Sequence, residues 1–233
     1  MLENPEGPRG PSRSWKQNPE AVRADILRAA TAQFARHGLA GTPIQDIADQ
    51  TNTSKRMIFY YFGDKEGLYR AVLEKAYREV RDGEKKLNLE GLQPIEALIR
   101  LVEFSFEHHR ANWDFIRLVM IENIHGSEHL ANVEGLSKIN STVIDQLSNI
   151  CDAGKKAGIF RTDVSALSLH WQISAMCFFN VSNRPTFSTL FGDDLFTESA
   201  QAQLCDQIVR SVLAAVVLPE ELGKIERCNA ETE

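Results

Sequence analysis

Between Thr42 and Asp64 the sequence starts three helices in quick succession, and that punctuation restricts the fold more than any other feature of the chain. Thr42-Pro43-Ile44-Gln45 puts an N-cap threonine before a proline at the first helical position, with a glutamine three residues on, the pattern of a capping box. The short helix it opens turns Ile44, Ile47 and Ala48 inward and stops near Gln50, after which Asn52 suits the left-handed conformation of a tight turn. Ser54 or Thr53 caps a second short helix, Gly63 ends it, and Asp64 caps a longer one. Upstream, Ile26, Leu27, Ala30 and Phe34 recur at helical spacing until His37-Gly38. A capped short helix, a turn of about four residues and another short helix form a helix-turn-helix, whose second helix enters the major groove of DNA.

Residues 54–61 span about 12 Å of helix, comparable to the groove width, so only the leading turn reaches base edges. Thr53, Ser54, Lys55, Arg56 and Met57 occupy that turn. Arg56 has the fork geometry for a guanine, and Lys55 suits a phosphate. The hydroxyls of Tyr60 and Tyr61 can donate to phosphate oxygens, while Thr42 and Lys65 lie at helix N-termini, which favour anions. Ile58 and Phe62, four apart, are expected in the core, with Phe59 partly so; solvated cations and a plain aromatic core are the competing account of this stretch.

Net charge at first argues against a nucleic-acid partner, because the chain carries -6. The charge is unevenly distributed: residues 1–87 hold 15 Lys and Arg against 12 Asp and Glu, a net of +3, which leaves 11 against 20, a net of -9, for the rest. Any phosphate-binding surface is therefore expected in the first third. Residues 1–18, rich in Pro, Gly, Ser and Arg, read as a disordered arm whose Arg9, Arg13 and Lys16 are solvated or touch DNA. Cys151, Cys177, Cys205 and Cys228 are widely spaced without a CxxC pair, as in a cytoplasmic protein with reduced thiols. No apolar signal region and no run of about 18 apolar residues occurs, so neither secretion nor membrane spanning is expected.

Over residues 20–68, Ala30, Phe34, Gly38, Gly41-Thr42, Ile44, Ile47-Ala48, Ser54, Tyr60-Tyr61-Phe62, Lys65-Glu66 and Leu68 resemble the N-terminal domain of TetR-family transcriptional regulators. The resemblance implies an all-α homodimer whose variable C-terminal domain binds a small effector that changes affinity for DNA. Two features depart from the family pattern. Thr51-Asn52-Thr53 replaces the usual Ala-Gly-Val of the turn, and Arg56 stands where a small residue often follows Ser-Lys, which alters the base-reading surface.

The remainder keeps helical periodicity with almost no strand signal, predicting helices over 65–86, 93–110, 113–125, 128–157, 163–182 and 197–217. The expected fold is all-α: an arm (1–18), a three-helix bundle with the helix-turn-helix (19–66), a larger effector-binding and dimerisation domain (67–218) and a flexible tail (219–233). Segments 163–182 and 197–217 carry surplus apolar faces, which predicts self-association, and the resemblance implies that they pair across a two-fold axis as a four-helix bundle. Phe104, His108, Trp113, Met120, Asn123, Trp171, Met176, Phe179 and Asn180 together offer apolar walls with a few polar groups, as effector pockets do and as ordinary cores also do. The C-terminal half is faintly similar to the RutR-like, pyrimidine-responsive subgroup, which implies a small planar polar effector.

An enzyme is the rival class. Glu122-Asn-Ile-His125 is a Glu-x-x-His, but a carboxylate-bridged di-iron site in a bundle needs two such motifs, and only one is present. No Gly-rich phosphate loop, nucleophile elbow or Ser/His/Asp arrangement stands out, so no catalytic residue, metal or cofactor is expected. A helix-turn-helix protein acting through a protein partner, or without any effector, is a third reading. The expected function is that of a repressor released from a palindromic double-stranded operator by a small molecule.

Overall fold

The structure, a computed structural model, describes residues 18–51 and 53–223. The arm cations, Asn52 and Cys228 thus lie outside the described residues. The helices delimited among the described residues are α1 (Pro19–Gly41), α2 (Ile44–Thr51), α3 (Lys55–Phe62), α4 (Lys65–Lys85), α5 (Pro94–Ala111), α6 (Trp113–Ile124), α7 (Leu136–Lys156), α8 (Ala166–Ser182), α9 (Arg184–Phe191) and α10 (Glu198–Val216). The fold is all-α; among the described residues the single β-bridge joins Phe160 to Val217. Asn18 caps α1 by accepting the Ala21 N–H at 3.0 Å, and Gly38, with φ 68°, breaks its regular path where the sequence predicts an end.

Three segments differ from expectation. The helix predicted over 128–157 is a 3-10 turn (Leu130–Asn132) followed by α7, because Gly135 takes a left-handed conformation between them. Helix α9 was not predicted. Residues 219–223, placed in the tail, form a helical turn whose Leu222 packs on the larger core.

Two cores hold these helices. The smaller gathers Ile26, Phe34, Ile47, Ile58, Leu68 and Tyr69, with Leu118 and Val133 completing it from beyond the first four helices. A boundary at residue 66 therefore cuts across shared packing, since the first half of α4 closes the N-terminal bundle and α6 covers it. The larger core joins α5, α7, α8 and α10 through Leu98, Phe106, Leu147, Ile173 and Val212. Arg110 ties α5 to α10 by pairing with Glu198 at 3.0 Å, and the buried Asn180 and Gln201 exchange two hydrogen bonds, at 2.8 and 3.1 Å, between α8 and α10.

Gly154 lets the α7–α8 connection fold back onto α7. A Cβ there would stand 2.3 Å from the Phe160 ring. Overpacking costs about 1–3 kcal/mol and the helix propensity of alanine returns up to ~1 kcal/mol, so Gly154→Ala is expected to destabilise by about 1–2 kcal/mol. Urea denaturation measures this, and a gain in stability would contradict the Phe160 packing.

Candidate DNA-reading and effector sites

Helix α3 is short and tightly delimited. The Ser54 hydroxyl accepts the Met57 N–H at 3.2 Å, the Gly63 N–H donates to the Phe59 carbonyl at 2.8 Å from a φ of 79°, and Asp64 accepts the Gly67 N–H at 2.5 Å to start α4. Ile58 is its one fully buried residue and anchors it to the small core. The opposite side presents Lys55, Arg56, Phe59 and Tyr60 to solvent, Tyr60 with 76% of its surface exposed. Among the described residues no hydrogen bond or ion pair engages Lys55 or Arg56. Their charged ends are thus available for an anionic partner.

Thr53, Met57, Tyr61 and Lys65 are half-buried beside this face, with Tyr61 packed on the small core and edge-on to Tyr60 at 5.4 Å. Phe62 is half-buried rather than enclosed, and the Arg23 guanidinium lies 5.3 Å from its ring. Phe59 is exposed, an apolar group on the solvent face of α3 that falls outside the four-residue spacing of Ile58 and Phe62.

Thr42 requires a correction. Its side chain is fully buried, and its hydroxyl donates toward the carbonyls of Gly38 at 2.8 Å and Gln33 at 3.1 Å, so it fastens the α1–α2 corner and cannot reach a phosphate. The capping box does not close either: Gln45 donates to Asp49 at 2.6 Å, and the Thr42 N–H turns to Leu39.

The effector-pocket residues separate into different places. Phe104, His108, Asn123 and Trp171 line one cavity of about 320 Å³ between α4, α5, α6 and α8, together with Tyr77, Arg81, Glu84, His109, Phe115 and His170. Met176 and Phe179 instead line an apolar groove of about 560 Å³ formed by α8, α9 and α10, and Trp113 lines a third, polar hollow. Asn180 touches both of the latter, with its amide held by Gln201. Met120 is half-buried on α6 and lines none of these. The division follows from helix geometry: at about 100° per residue, Met176 and Asn180 are turned by roughly 140° and 180° from Trp171 on α8.

Within the 320 Å³ cavity the charged groups belong to α4. The Arg81 Nη1 donates to both Glu84 carboxylate oxygens, at 2.8 and 2.7 Å, and both side chains are buried. Burial pushes the Glu84 carboxyl up to about 7, against the pull of Arg81. Among the described residues the buried Arg81 Nε has no hydrogen-bond partner. His109 donates from Nδ1 to the Ser105 carbonyl, and the Asn112 amide lies 3.3 Å from the His108 Nδ1. Burial lowers the pKa of both, and it brings His170 down to about 4 with help from the Arg81 charge. Gly83 makes room for the wall: a Cβ there would stand 2.5 Å from the Phe104 ring.

The Glu-x-x-His motif is not used as a unit. Glu122 is buried and accepts the Leu130 N–H at 2.9 Å, its near histidine is His129 at 3.5 Å, and His125 is exposed at the end of α6. Among the described residues no group of three or more His, Cys, Asp and Glu is placed to hold a metal ion, and no helix is long and apolar enough to cross a membrane.

Leu167, Trp171 and Phe179 on α8 and Leu190 and Phe191 on α9 are large apolar side chains exposed to solvent.

Comparison with known proteins finds two family profiles. Residues 26–72 match the one described as bacterial regulatory proteins, tetR family, and residues 94–212 match the tetracyclin repressor-like C-terminal domain. The chain is 33% identical over 186 residues to the HTH-type transcriptional repressor NicS of Pseudomonas putida, covering 80% of this chain and 88% of that protein. It is 30% identical over 141 residues to the HTH-type transcriptional regulator RutR of Escherichia coli, covering 59% of this chain and 64% of that one. Among solved structures, a TetR transcriptional regulator from Chloroflexus aurantiacus superposes with a TM-score of 0.66 at 20% identity, covering 87% of this chain and 99% of the other. The ketosteroid transcriptional regulator KstR2 of Mycobacterium tuberculosis does so with a TM-score of 0.60 at 19% identity, covering 85% and 96%. At these identities the two structures establish the fold alone.

Proposed function

This chain belongs to the TetR family of helix-turn-helix transcriptional regulators, and from that premise we propose that it is a dimeric repressor released from a palindromic operator when a small molecule enters the 320 Å³ cavity. The observation that carries the reading is the course of α4. Its first half supplies Leu68, Tyr69 and Val72 to the core that seats α3, and its second half supplies Tyr77, Arg81 and Glu84 to the cavity. A ligand that prefers a different tilt of α4 changes the separation of two reading helices, which must lie about 34 Å apart to enter successive major grooves.

In this reading Arg56 addresses a base, with Thr53, Ser54, Met57 and Phe59 beside it. Lys55, Tyr60, Tyr61 and Lys65 hold the phosphates. Two copies pair through α8 and α10, which the exposed Leu167, Trp171 and Phe179 and the adjoining apolar groove support. The 33% identity to a transcriptional repressor favours repression over activation.

Footprinting of the DNA flanking the protein's own gene tests this, repeated across a small-molecule panel that includes pyrimidines and aromatic acids. A symmetric protected site is expected, lost with one compound that also raises the melting temperature. Absence of protection, or a monomer by sedimentation at micromolar concentration, would sink the proposal.

A further inference from the structure

Resting on the reading of the α4–α5–α6–α8 cavity as the effector site, we propose that its ligand is a single-ring aromatic carboxylate, whose acid group is received by the unpartnered edge of Arg81 and whose ring lies between the aromatic walls. The size comes first. At about 320 Å³ the cavity stands at the lower end of small-molecule sites, ~300–1,000 Å³, which favours a single-ring ligand over a sterol- or long-acyl-sized one. Phe104, Phe115, Phe178 and Trp171 line it and favour a flat apolar body.

The polar groups then select the charge. Arg81 spends only Nη1 on Glu84, and among the described residues its buried Nε has no acceptor, so the guanidinium keeps donor capacity beside the cavity it lines. A carboxylate matches the planar guanidinium edge in a way that a lone carbonyl does not. Lining the cavity with Arg81 are Tyr77 on α4, His108 and His109 on α5, and His170 on α8; Glu84 is the one acid in the lining. Burial keeps the three histidines below their ordinary pKa values, so they are uncharged near neutral pH and add hydrogen-bonding nitrogens without further positive charge. With Glu84 protonated, the form its burial favours, Arg81 balances one monoanion, whereas a dianionic phosphate stays uncompensated.

The test is isothermal titration of the full-length protein with benzoate and its monohydroxylated derivatives, with benzamide, cyclohexanecarboxylate and decanoate as comparisons. At least one aromatic carboxylate is expected to bind ten or more times tighter than benzamide and cyclohexanecarboxylate. In Arg81→Lys, which keeps a cation beside Glu84, the preference of the acids over benzamide should collapse. The inference is overturned if benzamide equals the acids, if only decanoate binds, or if Arg81→Lys retains the preference; the comparisons on the unaltered protein decide the matter even where the variant fails to fold. Operator release is scored separately. An aromatic acid that binds without displacing operator DNA overturns the effector role but leaves the ligand class standing. Release by a compound outside the class, with no aromatic acid bound, does the reverse.

Discussion

Phe34→Ala is expected to destabilise the protein by about 3–5 kcal/mol, the loss of a large aromatic core side chain together with the cavity it leaves. Phe34 is fully buried, its ring meets Tyr69 edge-on at 5.1 Å, and it lies in the one core that joins α1, α2, α3 and the first half of α4. A typical domain has only ~5–15 kcal/mol to lose, so the N-terminal bundle should open well before the larger core does. Urea denaturation followed by far-ultraviolet circular dichroism should show a lower midpoint or a separate early transition. DNA affinity should fall with it, because Ile58 seats α3 on the same core. A loss under ~1 kcal/mol would mean that Phe34 does not occupy the centre of this core.

Arg56→Ala is expected to have the second large effect, on operator binding rather than stability. A bidentate arginine–guanine contact is worth about 1–3 kcal/mol of discrimination, and a symmetric dimer makes it twice, for about 2–6 kcal/mol in all. At 1.4 kcal/mol per factor of ten, operator affinity should drop between ~30-fold and ~10⁴-fold. Affinity for unrelated DNA should change far less, because phosphate contacts supply most of it. The melting temperature should hold, since the side chain is exposed and, among the described residues, unpaired. Titrations against the operator and against variants at each half-site position measure both quantities. Unchanged selectivity at every position would falsify the role given to Arg56.

The readable parts of this molecule were those whose bonds close within a few residues. Ser54 capping α3, Gly63 ending it and Asp64 capping α4 each depend on a hydrogen bond spanning three or four positions, so residue type and spacing suffice to predict them. Thr42 differs because its hydroxyl turns back: its local pattern matched a cap, but it donates toward α1, to the carbonyls of Gly38 at 2.8 Å and Gln33 at 3.1 Å, instead of forward to α2. The cavity was legible as a composition and not as a place. Phe104, His108, Asn123 and Trp171, named from composition, line one cavity with Arg81, Glu84, His109 and His170, which composition does not single out, because a charged pair at helical spacing reads as an exposed pair until burial is known.

By itself, then, the sequence determined the all-α class, the helix-turn-helix and the face of α3 that carries Lys55, Arg56 and Tyr60, because periodicity and capping act along the chain. Tertiary structure alone decided that Arg81 and Glu84 are enclosed and that Met176 and Phe179 belong to a different groove from Trp171. It also decided that α4 serves both the DNA-reading core and the cavity. Those facts depend on which faces of α4, α5, α6 and α8 meet, and helices far apart in sequence settle that only by packing against one another.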